Sequence, residues 1–242
     1  MPTTPYYRRD LALVHHKGFG FHADACAPGI LALLEGIGER GVVLELGCGS
    51  GLLTRYLVEA GHRVIATDAS TAMLELAKQQ ASGAEDIRLL VLPDDPLPPA
   101  NAIVSVGHVL NYLPDQDAIE RALVAVARAL EPGGVVAMDL CDLEWGRARA
   151  DAPPIVRRTD DWALMTEFDT PSPQRFVRRM TTFVRNPDGT WRRDDETHDN
   201  VLVDTASVPR LLAEHHIEAS VRPSFGREEL PVGLVALVGR RR

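Results

Sequence analysis

Between residues 42 and 140 two kinds of apolar pattern alternate. Short, nearly continuous apolar runs at 42–46, 64–66, 102–106 and 135–140 are separated by stretches whose apolar residues recur at three- and four-residue spacing. Leu52, Leu53, Tyr56 and Leu57 form one such stripe, Met73, Leu74 and Ala77 a second, and Ile119, Leu123, Val126 and Leu130 a third. The runs suit strands buried on both faces and the stripes suit amphipathic helices. With a further strand at 87–92, the pattern predicts a parallel sheet carrying helices on both faces. A helix opened by Pro28, with Ile30, Leu31, Leu34 and Ile37 on one side, is expected to end near 38–41, before the first strand.

Beyond residue 141 the pattern changes. Residues 142–175 lack a helical stripe and contain four prolines (Pro153, Pro154, Pro171, Pro173), whereas 175–185 and 191–204 flank Asn186-Pro187-Asp188-Gly189, a hairpin turn. With 162–169 as a third strand, residues 141–205 read as an antiparallel insertion. Alternation on the last arm puts Arg192, Asp194, Glu196, His198 and Asn200 on one face, which meets either solvent or a polar pocket. A short helix at 208–215 and strands at 217–224 and 233–239 close the chain.

A length of 242 residues, 45% of them hydrophobic, suits one domain with a substantial core. The net charge of −8 argues against a nucleic-acid surface. Cys26, Cys48 and Cys141 are odd in number and unpaired by any CxxC spacing, so neither a disulfide framework nor a metal site is expected. No apolar run is long enough to span a bilayer and the first ten residues form no apolar leader, so a cytoplasmic protein without membrane contact is expected. The near-exclusive use of arginine over lysine suits a bacterial genome. Tyr6, Tyr7, His15, His16, Phe19, Phe21 and His22 crowd residues 1–27 too densely for a solvated tail, and predict an ordered segment that packs on the body or lids a pocket.

The richest stretch is Glu45-Leu46-Gly47-Cys48-Gly49-Ser50-Gly51, where a strand turns sharply into a helix. Glu45 distinguishes this loop from one built for pyrophosphate, because a carboxylate would repel that ligand and attract a cationic one. Asp68 ends the next strand 17 residues after Gly51. At the neighbouring strand end its carboxylate is placed to accept ribose hydroxyls. Met73, in the first turn after Ser70, either packs in the core or covers an adenine, and the rigid loop 93–99 is either a proline-rich surface turn or offers Asp94 or Asp95 to an exocyclic amine, Asp94 preferred. Gly107, His108, Asn111 and Tyr112 follow the fourth strand, at the sheet edge where ligands lie.

These motifs, together with Leu130-Glu131-Pro132-Gly133-Gly134 before a strand, resemble those of the class I S-adenosylmethionine-dependent methyltransferases over about residues 28–140 and 207–240. The resemblance implies a Rossmann-like α/β three-layer sandwich whose seven-stranded sheet is parallel except for its last strand. It implies S-adenosylmethionine as cofactor, leaving S-adenosylhomocysteine. Glu45, Gly47, Cys48, Gly49 and Gly51 would hold the methionine moiety, Asp68 with Ala69 the ribose, and Met73, Asp94 and Gly107 the remainder. Asn101 departs from the family, which often has an aspartate there.

Acceptor-side expectations rest on position. His198 and His108 are candidate bases, since histidine titrates near neutrality, with Glu196 orienting or binding the acceptor. Tyr7, Phe19, Asn111 and Tyr112 are candidate acceptor contacts, and an insertion over the site suits a small molecule. Two other classes share parts of the pattern: a non-catalytic cofactor-binding or dimerisation protein using the exposed hairpin edge to form a homodimer, and a nucleotide-dependent oxidoreductase, which Glu45 disfavours.

Overall fold

The computed structural model describes residues 6–38 and 41–242. Residues 1–5 of the expected N-terminal segment, and the turn at 39–40, lie outside the described residues. Two helices, α1 (Arg9–Gly18) and α2 (Phe21–Leu33), precede an alternation of strands and helices: β1 (Val42–Leu46), α3 (Leu52–Glu59), β2 (Arg63–Asp68), α4 (Thr71–Gln80), β3 (Asp86–Leu89), β4 (Ala100–Ser105), α5 (Gln116–Ala129) and β5 (Leu130–Cys141). The short α6 (Leu143–Arg147) leads into β6 (Ile155–Arg158), β7 (Trp162–Ser172), β8 (Arg175–Arg185) and β9 (Trp191–Val201), and α7 (Val208–Ala213), β10 (Ile217–Arg222) and β11 (Leu234–Arg241) follow.

The main sheet has the order β10-β11-β5-β4-β1-β2-β3. Its strands are parallel except β11, which pairs antiparallel with both β5 and β10. Alternation along β1 divides the core: Leu44 and Leu46 pack towards Ile119, Leu123 and Leu212, while Val43 packs with Ile30, Leu57 and Leu74 on the opposite face. Helices therefore cover both faces, completing three layers as expected. Asp115 and Ser70 cap α5 and α4 by accepting from Ala118 N and Met73 N.

The second sheet, β6-β7-β8-β9, is antiparallel throughout. Leu11 and Val14 of α1 pack on its Trp162, Leu164, Met180 and Val184, so the N-terminal segment joins the two sheets rather than trailing in solvent. It contains four strands, one more than the pattern predicts. Strand β6 is exposed along its whole length, and so carries no alternation to betray it.

Three boundaries differ from expectation. Pro28 lies inside α2, not at its start; it and Asp24, whose carbonyl loses its helical donor, are both exposed, so the break falls on the solvent face of the helix. Helix α5 ends before residues 131–134, but these residues already belong to β5 rather than preceding it, with a shifted register against β4 and Gly133 at φ 77°. Strand β3 stops at Leu89, after which Leu90 N donates to Asp68 O. No described helix is long and apolar enough to cross a membrane.

Candidate active site

The loop after β1 turns at Gly47, Gly49 and Gly51, with φ of 67°, 54° and 82°. Glycine is required at Gly47 on two counts, its left-handed backbone and the 2.2 Å that would separate an added Cβ from a Val109 methyl. Gly47→Ala should therefore lower stability by more than the ~1–2 kcal/mol of left-handed strain alone; an unchanged melting temperature would contradict this packing.

Asp68 fastens that loop. Its Oδ2 accepts from Gly49 N and its Oδ1 from Ser70 N, each at 2.8 Å. Burial raises its carboxyl above the ordinary value, and the backbone donors oppose the rise. Glu45, 2% exposed, accepts from Thr54 Oγ1 at 2.6 Å. Burial, with a smaller push from the Asp68 charge, carries its carboxyl up to about 7 despite the Thr54 bond.

A cavity of about 770 Å³ opens at this edge of the sheet. Glu45, Gly47, Cys48, Gly49, Asp68, Ala69, Met73, Asp94 and Gly107 line it from the sheet side, and Tyr6, Tyr7, His15, Phe19, His22 and Tyr112 from the other. Asp94 faces the cavity, whereas Asp95 turns back to accept from Val91 N at 2.7 Å. Gly51 is not on the wall; it caps α3 and lies against Ala77. Asn101, at the family's aspartate position, accepts from Val42 N at 2.9 Å, away from the cavity.

The acceptor-side candidates divide: Tyr7, Phe19 and Tyr112 line the cavity, and Asn111, Glu196, His198 and His108 do not. Asn111 is fully buried, its amide bonded to Cys141 N, Cys141 O and Val201 O, and so has no group to offer a ligand. The inward face of β9 does not line the cavity and packs chiefly on the N-terminal segment, with Asn200 donating to Asn111 O. Glu196 accepts from Tyr7 N and Arg8 N, both at 2.8 Å, and contacts His198 Nε2 at 2.9 Å. The His198 ring packs on Tyr6 and Tyr7, centroids 4.6 and 4.8 Å away. Ser70 Oγ donates to Tyr7 O at 2.7 Å, so Tyr7, at φ 55°, is held on both sides. Glu196 and His198 thus stand behind the tyrosines that form the wall. His108 is also off the wall, stacked on Tyr112 at 5.4 Å.

Four residues on or behind the cavity wall were not among the site residues expected from the sequence. His15 and His22 sit among the N-terminal aromatics, where density of rings was the signal but not which ring faced inward. Asp139, 1% exposed near the end of β5, accepts from Gly107 N, His108 N and His22 Nε2 at 2.9, 2.6 and 2.8 Å. Burial would raise its carboxyl, but His22 and the backbone donors hold it below its ordinary value. An acid in a buried strand was legible as an anomaly. Arg178 was not, because its neighbours follow from the β8–β9 register that sets it opposite His198. Burial pushes His15 and His198 down to about 4 and His108 to about 3, with Arg178 adding to each fall.

Residues 43–134 match the family model of a methyltransferase domain. Over that stretch, which is under half of the chain, the protein is similar to methyltransferase domains. The malonyl-[acyl-carrier protein] O-methyltransferase of Pectobacterium atrosepticum is 36% identical over 95 residues, 39% of this chain and 36% of that one. The chain spans between 36% and 67% of the length of the first curated relatives it matches. Solved structures match almost end to end in fold. An S-adenosylmethionine-dependent methyltransferase from Clostridium acetobutylicum superposes with a TM-score of 0.79 at 16% identity, covering 95% of this chain and 97% of that one. The sugar N-methyltransferase KedS8 from Streptoalloteichus gives 0.77 at 18%, covering 100% and 97%. The chain shares with both an architecture that extends well beyond the matched stretch.

Proposed function

We propose that the protein transfers the methyl group of S-adenosylmethionine to a small-molecule acceptor by in-line displacement. The observation that carries this reading is a single cavity with carboxylates at one end and an aromatic, imidazole-bearing N-terminal wall at the other. The cavity residues suit the cofactor: Gly49 and Gly107, both at positive φ, have no atom within 4 Å of where a Cβ would stand, leaving open cradles against the backbone. Glu45 serves the ammonium-bearing end, Asp68 the ribose hydroxyls, Asp94 the adenine amine, and Met73 its face. When bound, the cofactor supplies a methyl group already activated by a sulfonium.

The chain's own part is to hold the acceptor in line and exclude water, and such positioning is worth roughly 7–11 kcal/mol. Tyr6, Tyr7, Phe19 and Tyr112 provide the enclosure. If the acceptor must lose a proton, His15 and His22 are the imidazoles on the cavity wall to receive it. A methylated small molecule also suits KedS8 and the amino pentose methyltransferase CalS10, a second neighbour in fold.

Two measurements follow. Incubation with methyl-labelled cofactor and fractionated bacterial metabolites should yield a product heavier by one methyl group; no labelled product with any fraction would contradict the proposal. Cofactor binding should also move a proton. A carboxyl raised to about 7 is partly protonated at neutral pH. A cationic partner favours its ionised form, so binding at pH 7 should release a fraction of a proton and strengthen as pH rises from 5 to 8. In the free protein the same shift makes Glu45 a destabilising ionisation, stability falling as pH rises from about 4.5 towards 7. Calorimetry in buffers of different ionisation enthalpy reads the proton directly, and Glu45→Gln should abolish its release.

A further inference from the structure

The N-terminal segment and Tyr112 furnish one wall of the cavity, and the polar groups on that wall are partnered with one exception. Tyr7 Oη and Tyr112 Oη share a hydrogen bond of 2.9 Å, and His22 Nε2 lies 2.8 Å from the Asp139 carboxylate. Tyr6 Oη donates to Asp199 O at 3.5 Å. His15 has no such bond. Its Nδ1 is buried without a partner; its Nε2 makes no hydrogen bond among the described residues either, yet is not sealed as Nδ1 is. The ring borders the cavity, so Nε2 is the nitrogen that a bound molecule can reach. A polar group in so enclosed a place is costly to leave unbonded, and a ligand that bonds it recovers that cost.

The ring is also held and well placed. It stands edge-on to Tyr7 at 5.1 Å and is stacked on Phe19 at 5.7 Å. His16, the next residue, contacts Ser50 Oγ of the glycine loop through Nδ1 at 3.0 Å, and Tyr7 O accepts from Ser70 Oγ two residues beyond Asp68. The segment is thereby fastened to the strand ends that carry the cofactor-side residues, and His15 adjoins the fastening at the glycine loop. Burial and the Arg178 charge behind the wall keep the imidazole neutral, so one of its nitrogens retains a lone pair.

From the unpartnered Nε2, its place beside the glycine loop and the aromatic rings around it, we infer that His15 selects the acceptor: Nε2 accepts a hydrogen bond from the group that takes the methyl, a hydroxyl or an amine on a ring that packs against Tyr7, Phe19 and Tyr112. This rests on the methyl-transfer reading and deepens it by choosing His15 over His22, whose Nε2 is committed to Asp139 and whose Nδ1 faces the Cys26 sulfur at 3.9 Å. In the transfer, the acceptor oxygen or nitrogen bonds to the methyl carbon and the carbon–sulfur bond breaks with its electron pair left on sulfur. The acceptor's proton, made acidic as the new bond forms, passes to Nε2 and on to solvent. Holding the acceptor by its proton leaves a lone pair free to face the methyl group, the orientation that in-line displacement needs.

The test is a nuclear magnetic resonance titration of phenol, aniline and toluene into the protein saturated with S-adenosylhomocysteine, its histidine rings isotopically labelled. Phenol or aniline should bind about three- to tenfold more tightly than toluene, the scale of one hydrogen bond, and the tighter of the two identifies the reacting atom. That ligand should shift one imidazole nitrogen resonance that toluene leaves in place. In His15→Phe, which keeps a ring on the wall, the resonance and the preference should both be gone while toluene binds as before. His15→Gln, whose amide restores a hydrogen-bonding group, should recover part of the preference. S-adenosylhomocysteine affinity, which neither substitution should change, reports that the variants are folded. Binding of neither phenol nor aniline, binding no tighter than toluene, or a preference that survives in His15→Phe would overturn the assignment. Failure of S-adenosylhomocysteine itself to bind the unaltered protein would instead remove the methyl-transfer reading beneath it.

Discussion

Replacing Asp68 by alanine should weaken S-adenosylhomocysteine binding by about 2–4 kcal/mol, on the scale of one to two hydrogen bonds to a charged group, or roughly 30- to 1000-fold in dissociation constant. The effect has two sources. The carboxylate is placed to accept the ribose hydroxyls, and it also holds Gly49 N and Ser70 N, which shape the loop and open the next helix. Its removal therefore costs the ligand both a partner and a preformed wall. Thermal unfolding should register the second loss as a lower melting temperature of the free protein. Asp68→Asn, which retains one acceptor oxygen, should fall between. Normal affinity in the alanine variant would remove Asp68 from the site.

The second large effect is expected at Glu196. Its carboxylate takes Tyr7 N, Arg8 N and His198 Nε2 in a buried setting. Glu196→Ala should lower stability by about 2–4 kcal/mol, because charged hydrogen bonds are lost and buried donors are left without acceptors. The consequence for function is indirect: Tyr6 and Tyr7 lose their anchor and the cavity loses a wall. Acceptor KM should rise and the N-terminal segment become sensitive to protease, whereas the carboxylate end of the cavity stays intact. Protease resistance equal to that of the unaltered protein would show that Glu196 does not latch the segment. His198 shares this role. Its ring is held neutral by burial, so acidification from about 6.5 towards 4 favours the unfolded chain, which binds the proton the native site resists.

The sequence carried the cofactor half of the site more clearly than the acceptor half, for a physical reason. Glu45, the glycines and Asp68 lie at the ends of adjacent strands, so hydrophobic runs that locate the strands also locate the residues. Even the choice of Asp94 over Asp95 agrees with which side chain faces the cavity. The other half is assembled from α1, α2, β8 and β9, elements up to 190 residues apart in the chain. Period-two alternation put Glu196 and His198 on a common face, but nothing in the pattern could tell that the N-terminal segment would cover it. Arg178 was further hidden: an arginine in an amphipathic strand looks solvated until its place opposite His198 and its bond to Tyr112 are seen. Asn111 was placed near the ligand edge by position alone, and its amide turned out to stitch β5 to β9.

Calorimetric titration with S-adenosylhomocysteine, with NAD as the competing nucleotide, tests the central claim most directly. One equivalent of S-adenosylhomocysteine should bind, with proton release at pH 7 that disappears in Glu45→Gln, and NAD should give no heat. Binding of NAD in preference, or no binding of S-adenosylhomocysteine, would contradict the account.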